Sequence, residues 1–107
     1  MALGVLIVDD NRSFLGAARD LLEREGIRVV GVASTSAEAL RHAAELRPEI
    51  ILVDISLGAE SGFELAGRLV ERGGGGAAAV ILISTHSEDD FADLIAESPA
   101  LGFLPKS

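Results

Sequence analysis

Five short runs of strand length alternate along the chain with segments of helical periodicity, and this alternation limits the fold more than any other feature. Four of the runs are rich in Val, Ile and Leu, which favours buried strands. The runs span residues 5–8, 28–33, 50–53, 80–83 and 102–104. Between them, helices are expected to begin near Ser13, Ser36, Ser61 and Ser87. Because parallel strands need crossover connections, the pattern predicts an α/β fold with helices on both faces of a parallel sheet.

Length and composition exclude several classes of protein. The 107 residues, 49% of them hydrophobic, suit one domain with a real core. The absence of cysteine excludes disulfides and thiolate metal sites and is typical of a reducing cytoplasm. The apolar runs are too short to span a membrane, and the amino terminus lacks the basic region of a signal peptide. A net charge of −8 with scattered basic residues argues against nucleic-acid binding by this chain, so we expect a cytoplasmic protein without a membrane partner.

Polar side chains follow four of the five strands at the point where each strand ends. Asp9 and Asp10 follow the first, Asp54 the third, Ser84 the fourth and Lys106 the fifth. In open parallel sheets, ligands bind outside the carboxyl ends of the strands. We therefore expect these five residues to form one acidic pocket, although each of them alone has an ordinary explanation as a turn or surface residue.

The residue types in this pocket favour phosphoryl chemistry. Three crowded carboxylates repel one another unless a cation lies among them, and oxygen ligands without His or Cys favour Mg²⁺. Magnesium keeps positions open for phosphate oxygens. Asp54 is then a candidate nucleophile toward phosphorus, with the hydroxyl of Ser84 and the sole lysine, Lys106, stabilising the transferred oxygens.

Four segments of the chain together resemble the response-regulator receiver family of two-component signalling. They read VLIVDDN, ILVDISLGAESGFEL, VILISTHS and GFLPKS, and the resemblance spans the whole chain. The family's separations fit without a gap: 44 residues from Asp10 to Asp54, 30 from Asp54 to Ser84 and 22 from Ser84 to Lys106. The resemblance implies a flavodoxin-like three-layer sandwich with strand order 2-1-3-4-5, and Asp54 as the phosphorylation site.

The resemblance also implies a magnesium site. Asp10 and Asp54 are expected to bind Mg²⁺ directly, with the backbone carbonyl of Ser56 completing the protein ligands. Asp9 is expected to act largely through water. The phosphodonor implied by the family is a sensor histidine kinase.

A switch is implied by the same resemblance. Lys106 is expected to pair with Asp54 and then with the phosphoryl group, while Ser84 moves to bond another phosphoryl oxygen. Phe103 occupies the family's switch-aromatic position and is expected to pack inward when Ser84 moves. The output is a changed surface around the fourth helix and fifth strand, read by an output domain in the full-length protein that is often DNA-binding. A dimer is also compatible with the family.

The chain departs from the family pattern at three points. It stops one residue after Lys106, so we expect a receiver domain over residues 1–107 that lacks the family's fifth helix, with apolar surface uncovered on strands one and five. Gly58 stands where a proline is common, which predicts a looser loop after Asp54. Thr85 stands where a small alanine is frequent, which predicts altered access of phosphodonors.

Leu15 is a further candidate, on the first helix. It does not share the expected core stripe of Phe14, Ala18 and Leu21, and it lies near the acidic pocket. One hypothesis is that Leu15 helps to dock the histidine-bearing phosphodonor; the alternative is an isolated exposed leucine.

Two other functions remain open at this point. A receiver-like interaction module that is never phosphorylated is compatible with the missing helix. A magnesium-dependent phosphohydrolase of the haloacid-dehalogenase type also uses an aspartate at a strand end, but that family needs Asp-x-Asp, whereas Asp9 and Asp10 are adjacent. The leading interpretation is a signalling domain that catalyses only its own phosphorylation and dephosphorylation.

Overall fold

A five-stranded parallel sheet forms the centre of the protein. The computed structural model describes residues 4–73, 78–85, 88–98 and 100–106. Two further strands, β4 and β5, pair only with each other in an antiparallel hairpin. In chain order the strands are β1 (Gly4–Val8), β2 (Arg28–Ala33), β3 (Ile50–Asp54), β4 (Ser56–Leu57), β5 (Glu60–Ser61), β6 (Ala79–Ser84) and β7 (Gly102–Pro105). The sheet order is β2-β1-β3-β6-β7, which confirms the expected order once the hairpin is set aside.

Helices cover both faces of the sheet. They are α1 (Arg12–Arg24), α2 (Ser36–Leu46), α3 (Gly62–Gly73) and α4 (Ala92–Glu97), the last preceded by a 3₁₀ turn at Glu88–Phe91. The α1 helix packs on one face, and the other three pack on the opposite face, so the expected three-layer flavodoxin-like fold is confirmed. No helix in the described ranges is long and apolar enough to cross a membrane.

The central strand β1 is buried because its side chains pack against helices on both faces of the sheet. On β1, Leu6 and Val8 lie in the larger core cluster, beneath α2 and α3, whereas Val5 and Ile7 lie in the smaller cluster beneath α1. A strand that is buried on both faces needs a continuous apolar sequence, which explains the unbroken run in β1. The expectation of uncovered apolar surface was therefore wrong for the first strand. It holds at β7, where Leu104 is 50% exposed.

Leu15 lies in the core, and the expectation that it sits off the packed face of α1 was wrong. Its side chain is 7% exposed and belongs to the cluster beneath α1, whereas Leu21 is 57% exposed. The inward stripe of the helix runs through Leu15, Ala18 and Leu22, at three and four residue steps. The helix begins at Arg12, with Asn11 as its N-cap. In the orientation that the helix adopts, Leu15 faces the sheet. A buried Leu15 does not offer the proposed docking side chain.

The α2 helix begins at Ser36, as expected. Its N-cap is Thr35, whose hydroxyl oxygen accepts a hydrogen bond from the backbone N–H of Glu38 at 3.1 Å. The backbone N–H of Ser36 donates instead to Oε1 of Glu60 at 2.9 Å. This bond ties the beginning of α2 to the β4–β5 hairpin.

The β4–β5 hairpin, which the sequence patterns did not predict, lies directly after Asp54. Its turn contains Gly58, whose φ of 62° is left-handed. Proline holds φ near −65° and cannot adopt this conformation. Glycine at position 58 therefore suits this tight turn, where proline would not, and the expected loosening of the loop stays a prediction.

Candidate functional site

The polar residues at the strand ends converge at one edge of the sheet, as expected. Asp9 follows β1, Asp54 ends β3 and Ser84 ends β6; their exposed fractions are 0%, 5% and 1%. Asp10 is exposed at the mouth of the pocket, and Lys106 follows β7. Because burying carboxylates is costly, this arrangement is maintained only where the charges are compensated.

The three carboxylates form a cluster that could hold a metal ion. One oxygen each from Asp9, Asp10 and Asp54 lies within 4.8 Å of the other two. All three ligands are carboxylate oxygens, the donor set that suits a hard divalent cation such as Mg²⁺. The expected grouping of these acids is confirmed, and the donor chemistry fits the expected cation.

Lys106 lies between two of the acids. Its Nζ atom is 2.6 Å from Oδ2 of Asp9, in an ion pair, and 3.1 Å from Oδ2 of Asp54, to which it donates a hydrogen bond. The lysine backbone is fixed as well, because its N–H donates to the carbonyl of Ser84 at 2.8 Å. The expected pairing of Lys106 with Asp54 is present, but the lysine is shared with Asp9.

Backbone amides orient the two buried carboxylates. Oδ1 of Asp9 accepts a hydrogen bond from the N–H of Asn11 at 2.8 Å, and Oδ1 of Asp54 accepts one from the N–H of Ser56 at 3.1 Å. In each acid the other oxygen, Oδ2, is the one that faces Lys106. The strand ends thus fix the carboxylates before any ligand binds, which is the preorganisation that electrostatic catalysis needs.

Burial and charge shift two of these groups. Burial raises the pKa of Asp54, and the negative charge of Asp9 adds to this rise; the N–H of Ser56 and the ammonium of Lys106 oppose it. Burial acts to lower the pKa of Lys106, but its pairing with Asp9 and Asp54 outweighs burial and raises it. Lys106 therefore stays charged, and one ammonium compensates two buried acids incompletely. This excess negative charge favours a bound cation.

The remaining predicted residues lie around the pocket. Phe103, on β7, is half-buried against the larger core cluster and pairs in register with Leu82. Ser84 pairs in register with Pro105 at the end of the same two strands. Ser56 opens the hairpin after Asp54 and is exposed. Their predicted roles in switching and metal binding stay predictions, whereas Leu15 lies in the core beneath α1.

Sequence reasoning missed two residues at this site. The ring of Phe14 lies beneath the ammonium of Lys106, with Nζ 4.5 Å from the ring centroid. Its only signal in the sequence was its position one turn after Asp10. Gly62 approaches the backbone so closely that a Cβ atom there would collide with the carbonyl oxygen of Asp54. A glycine eight residues after a strand-end acid was the available signal.

Curated proteins are similar to this chain in sequence, and solved structures are similar to it in fold. A putative transcriptional regulator of Pseudomonas aeruginosa is 33% identical over 95% of this chain and 48% of its own length. The chain spans about half or less of the length of the curated relatives it matches.

Two solved structures are similar over almost the whole chain. The structure of a LuxR-family two-component response regulator from Aurantimonas is 30% identical with a TM-score of 0.87, over 100% of this chain and 76% of that one. A response regulator protein from Burkholderia pseudomallei, solved with a phosphorylated aspartic acid, calcium ion and citrate, is 29% identical with a TM-score of 0.83, over 97% of this chain and 59% of that one. The family described as response regulator receiver domain matches residues 5–107, and the chain belongs to that family.

Proposed function

We propose that this receiver domain accepts a phosphoryl group on Asp54 from a sensor histidine kinase and acts as a signalling switch. The observation that carries the proposal is the position of Asp54, a buried carboxylate with Lys106 at 3.1 Å and two further acids clustered beside it. A strand-end aspartate that is oriented by a backbone amide, with an ammonium beside it and two acids that could help to hold a metal cation, suits nucleophilic attack on phosphorus.

The chemistry requires one bond to form and one to break. A carboxylate oxygen of Asp54 attacks the phosphorus of a phosphohistidine, and the P–N bond breaks with its electron pair remaining on the imidazole nitrogen. The ammonium of Lys106 lies where it can stabilise negative charge on a phosphoryl oxygen. Ser84, at the end of the neighbouring strand β6, is the proposed donor to another oxygen. Water later attacks the phosphorus of the acyl phosphate, the P–O bond to Asp54 breaks, and inorganic phosphate leaves, which restores the Asp54 carboxylate.

A divalent cation is part of the proposal. Asp9, Asp10, Asp54 and the backbone carbonyl of Ser56 would hold Mg²⁺, which would neutralise charge on the phosphoryl oxygens. The related protein from Burkholderia pseudomallei, solved with a phosphorylated aspartic acid and a calcium ion, supports this assignment.

The proposed output is a change in the surface near β7 and α4. Phe103 lies on β7, the strand whose end carries Lys106, and it packs against the larger core cluster. Movement of Ser84 toward a phosphoryl group would therefore change the packing of a strand that it already contacts through the backbone. We propose that an output domain reads this change; transcriptional regulators among the relatives make a DNA-binding output the first to test.

The test is to incubate the chain with Mg²⁺ and a small acyl phosphate and to measure its intact mass. A labile gain of one phosphoryl group is expected, and the Asp54→Asn variant should lack it. Asp20→Asn, which removes an exposed carboxylate on α1, is the matched control and should keep the gain. No gain with any donor would favour an interaction module that is never phosphorylated, and catalytic release of phosphate from many substrates would favour a phosphohydrolase.

A further inference from the structure

Among the described residues, one contact of the Lys106 ammonium is not with an acid. Besides the carboxylates of Asp9 and Asp54, the ring of Phe14 lies 4.5 Å from Nζ, measured to the ring centroid. The face of an aromatic ring carries partial negative charge, and a cation within about 6 Å of its centroid is attracted to it. The side chain of Lys106 is only 10% exposed, so water screens this attraction weakly.

Phe14 is held in place independently of the lysine. It lies in the first turn of α1, and its backbone N–H donates to Oδ1 of the cap residue Asn11 at 3.1 Å. Its side chain is half-buried and packs against the cluster that contains Leu15 and Ile7. The ring therefore offers a fixed surface to the ammonium. The lysine side chain is flexible, so Nζ can move between the carboxylates and the ring.

The carboxylates and the aromatic ring respond differently when a cation binds in the pocket. A cation bound among the carboxylates takes up part of the negative charge of Asp9 and Asp54, so both acids attract the ammonium less. Phe14 carries no formal charge and no metal-ligand atom, so its attraction for the ammonium persists. We propose that Phe14 is a positioning residue that holds the ammonium of Lys106 over the pocket when the carboxylates are engaged by a cation and a phosphoryl group. This inference rests on the proposed function, because it names the residue that keeps the lysine available to Asp54.

The sole lysine of the sequence makes the contact directly measurable. Lysine labelled with ¹³C at Cε gives one side-chain signal, and the ring current of Phe14 should shift the attached protons upfield. The shift is expected in the wild-type protein with and without Mg²⁺, to persist in Phe14→Tyr and to disappear in Phe14→Leu. A Lys106 signal that is the same in wild type and Phe14→Leu would overturn the proposal.

Reaction with a small acyl phosphate gives the functional readout. Phe14→Leu should react roughly three- to tenfold more slowly, the range expected for loss of one cation–π contact, and Phe14→Tyr should recover the rate. Phe63→Leu is the matched control, since Phe63 is also half-buried but packs near Phe91 in the other core cluster. It should change neither the lysine signal nor the rate.

The outcomes separate the contact from the reaction. A rate in Phe14→Tyr as low as in Phe14→Leu would show that packing, not the ring face, matters, and would overturn the proposal. Equal slowing in Phe63→Leu would do the same. If wild type gains no phosphoryl group, the proposed function fails, while the lysine signal still decides whether Phe14 holds Lys106.

Discussion

The Nζ atom of Lys106 lies 2.6 Å from Oδ2 of Asp9, closer than its 3.1 Å distance from Oδ2 of Asp54, the proposed phosphorylation site. The lysine therefore compensates a residue that is fully buried. Removing Lys106 would leave two buried acids without the cationic side chain that the described residues place beside them, so Lys106 also has a structural role.

Lys106→Met is accordingly expected to destabilise the fold at neutral pH. The loss should be about 3 kcal/mol, as for breaking a buried ion pair by removing one partner. Urea denaturation followed by circular dichroism measures it, and Lys106→Arg, which keeps the charge, is the control. A methionine variant as stable as wild type would show that the acids need no compensation.

Asp54→Asn is expected to raise the melting temperature at neutral pH. The pKa of Asp54 is higher in the folded protein than its ordinary value of 3.8, chiefly because of burial, so ionising it costs more in the folded state than in the unfolded chain. As the pH rises from the ordinary pKa of Asp54 through its raised pKa in the folded protein, ionisation of Asp54 lowers the stability of the fold. Asparagine does not ionise and avoids this loss. The gain should shrink below about pH 3.8, where the acid is protonated in both states.

Calorimetry across pH, without added metal, tests whether Asp54→Asn raises the melting temperature at neutral pH. Asp20→Asn, which removes an exposed carboxylate, should shift stability by no more than about 0.5 kcal/mol. An asparagine variant that melts below wild type at neutral pH would contradict the prediction.

The sequence was sufficient to predict the sheet and the pocket, for one physical reason. Strands buried on both faces have a continuous apolar pattern, and parallel strands place their carboxyl ends at one edge. Asp9, Asp54 and Lys106 could therefore be brought together from their positions alone, and the structure confirms that they meet.

The sequence was insufficient where more than one side-chain arrangement fits the same pattern. Leu15 and Leu21 are both apolar residues of α1, and only the structure shows that Leu15 lies inside and Leu21 outside. The contact between Phe14 and Lys106 joins residues far apart in sequence through side-chain directions that no periodicity encodes. The β4–β5 hairpin has two-residue strands, too short to leave an alternating pattern.

Gly62→Ala is expected to destabilise the protein by about 2–3 kcal/mol. A Cβ atom at this position would collide with the carbonyl oxygen of Asp54 and lie 2.6 Å from Cα of Ile55, and backbone atoms can move aside only at a large cost in energy. Gly67→Ala, in the same helix and with nothing within 4 Å of its Cβ, should instead stabilise by about 0.5–1 kcal/mol. Denaturant titration of both variants provides the comparison, and equal effects of the two alanines would argue against a steric requirement at Gly62.

Magnesium is expected to raise the melting temperature through the carboxylate cluster, and Asp10→Asn should remove the rise. A ligand that binds only the folded state stabilises it by about 2.7 kcal/mol when its concentration is 100 times the Kd. Because Asp10 is exposed, its replacement should change the stability without metal by no more than about 0.5 kcal/mol, so a lost response reports a lost ligand. Asp89→Asn, which removes an exposed acid outside the cluster, is the control variant and should respond to MgCl₂ as wild type does. NaCl at equal ionic strength corrects for charge screening by salt. An undiminished rise in Asp10→Asn would place the cation elsewhere, since the cluster's only exposed carboxylate would then contribute nothing to holding it.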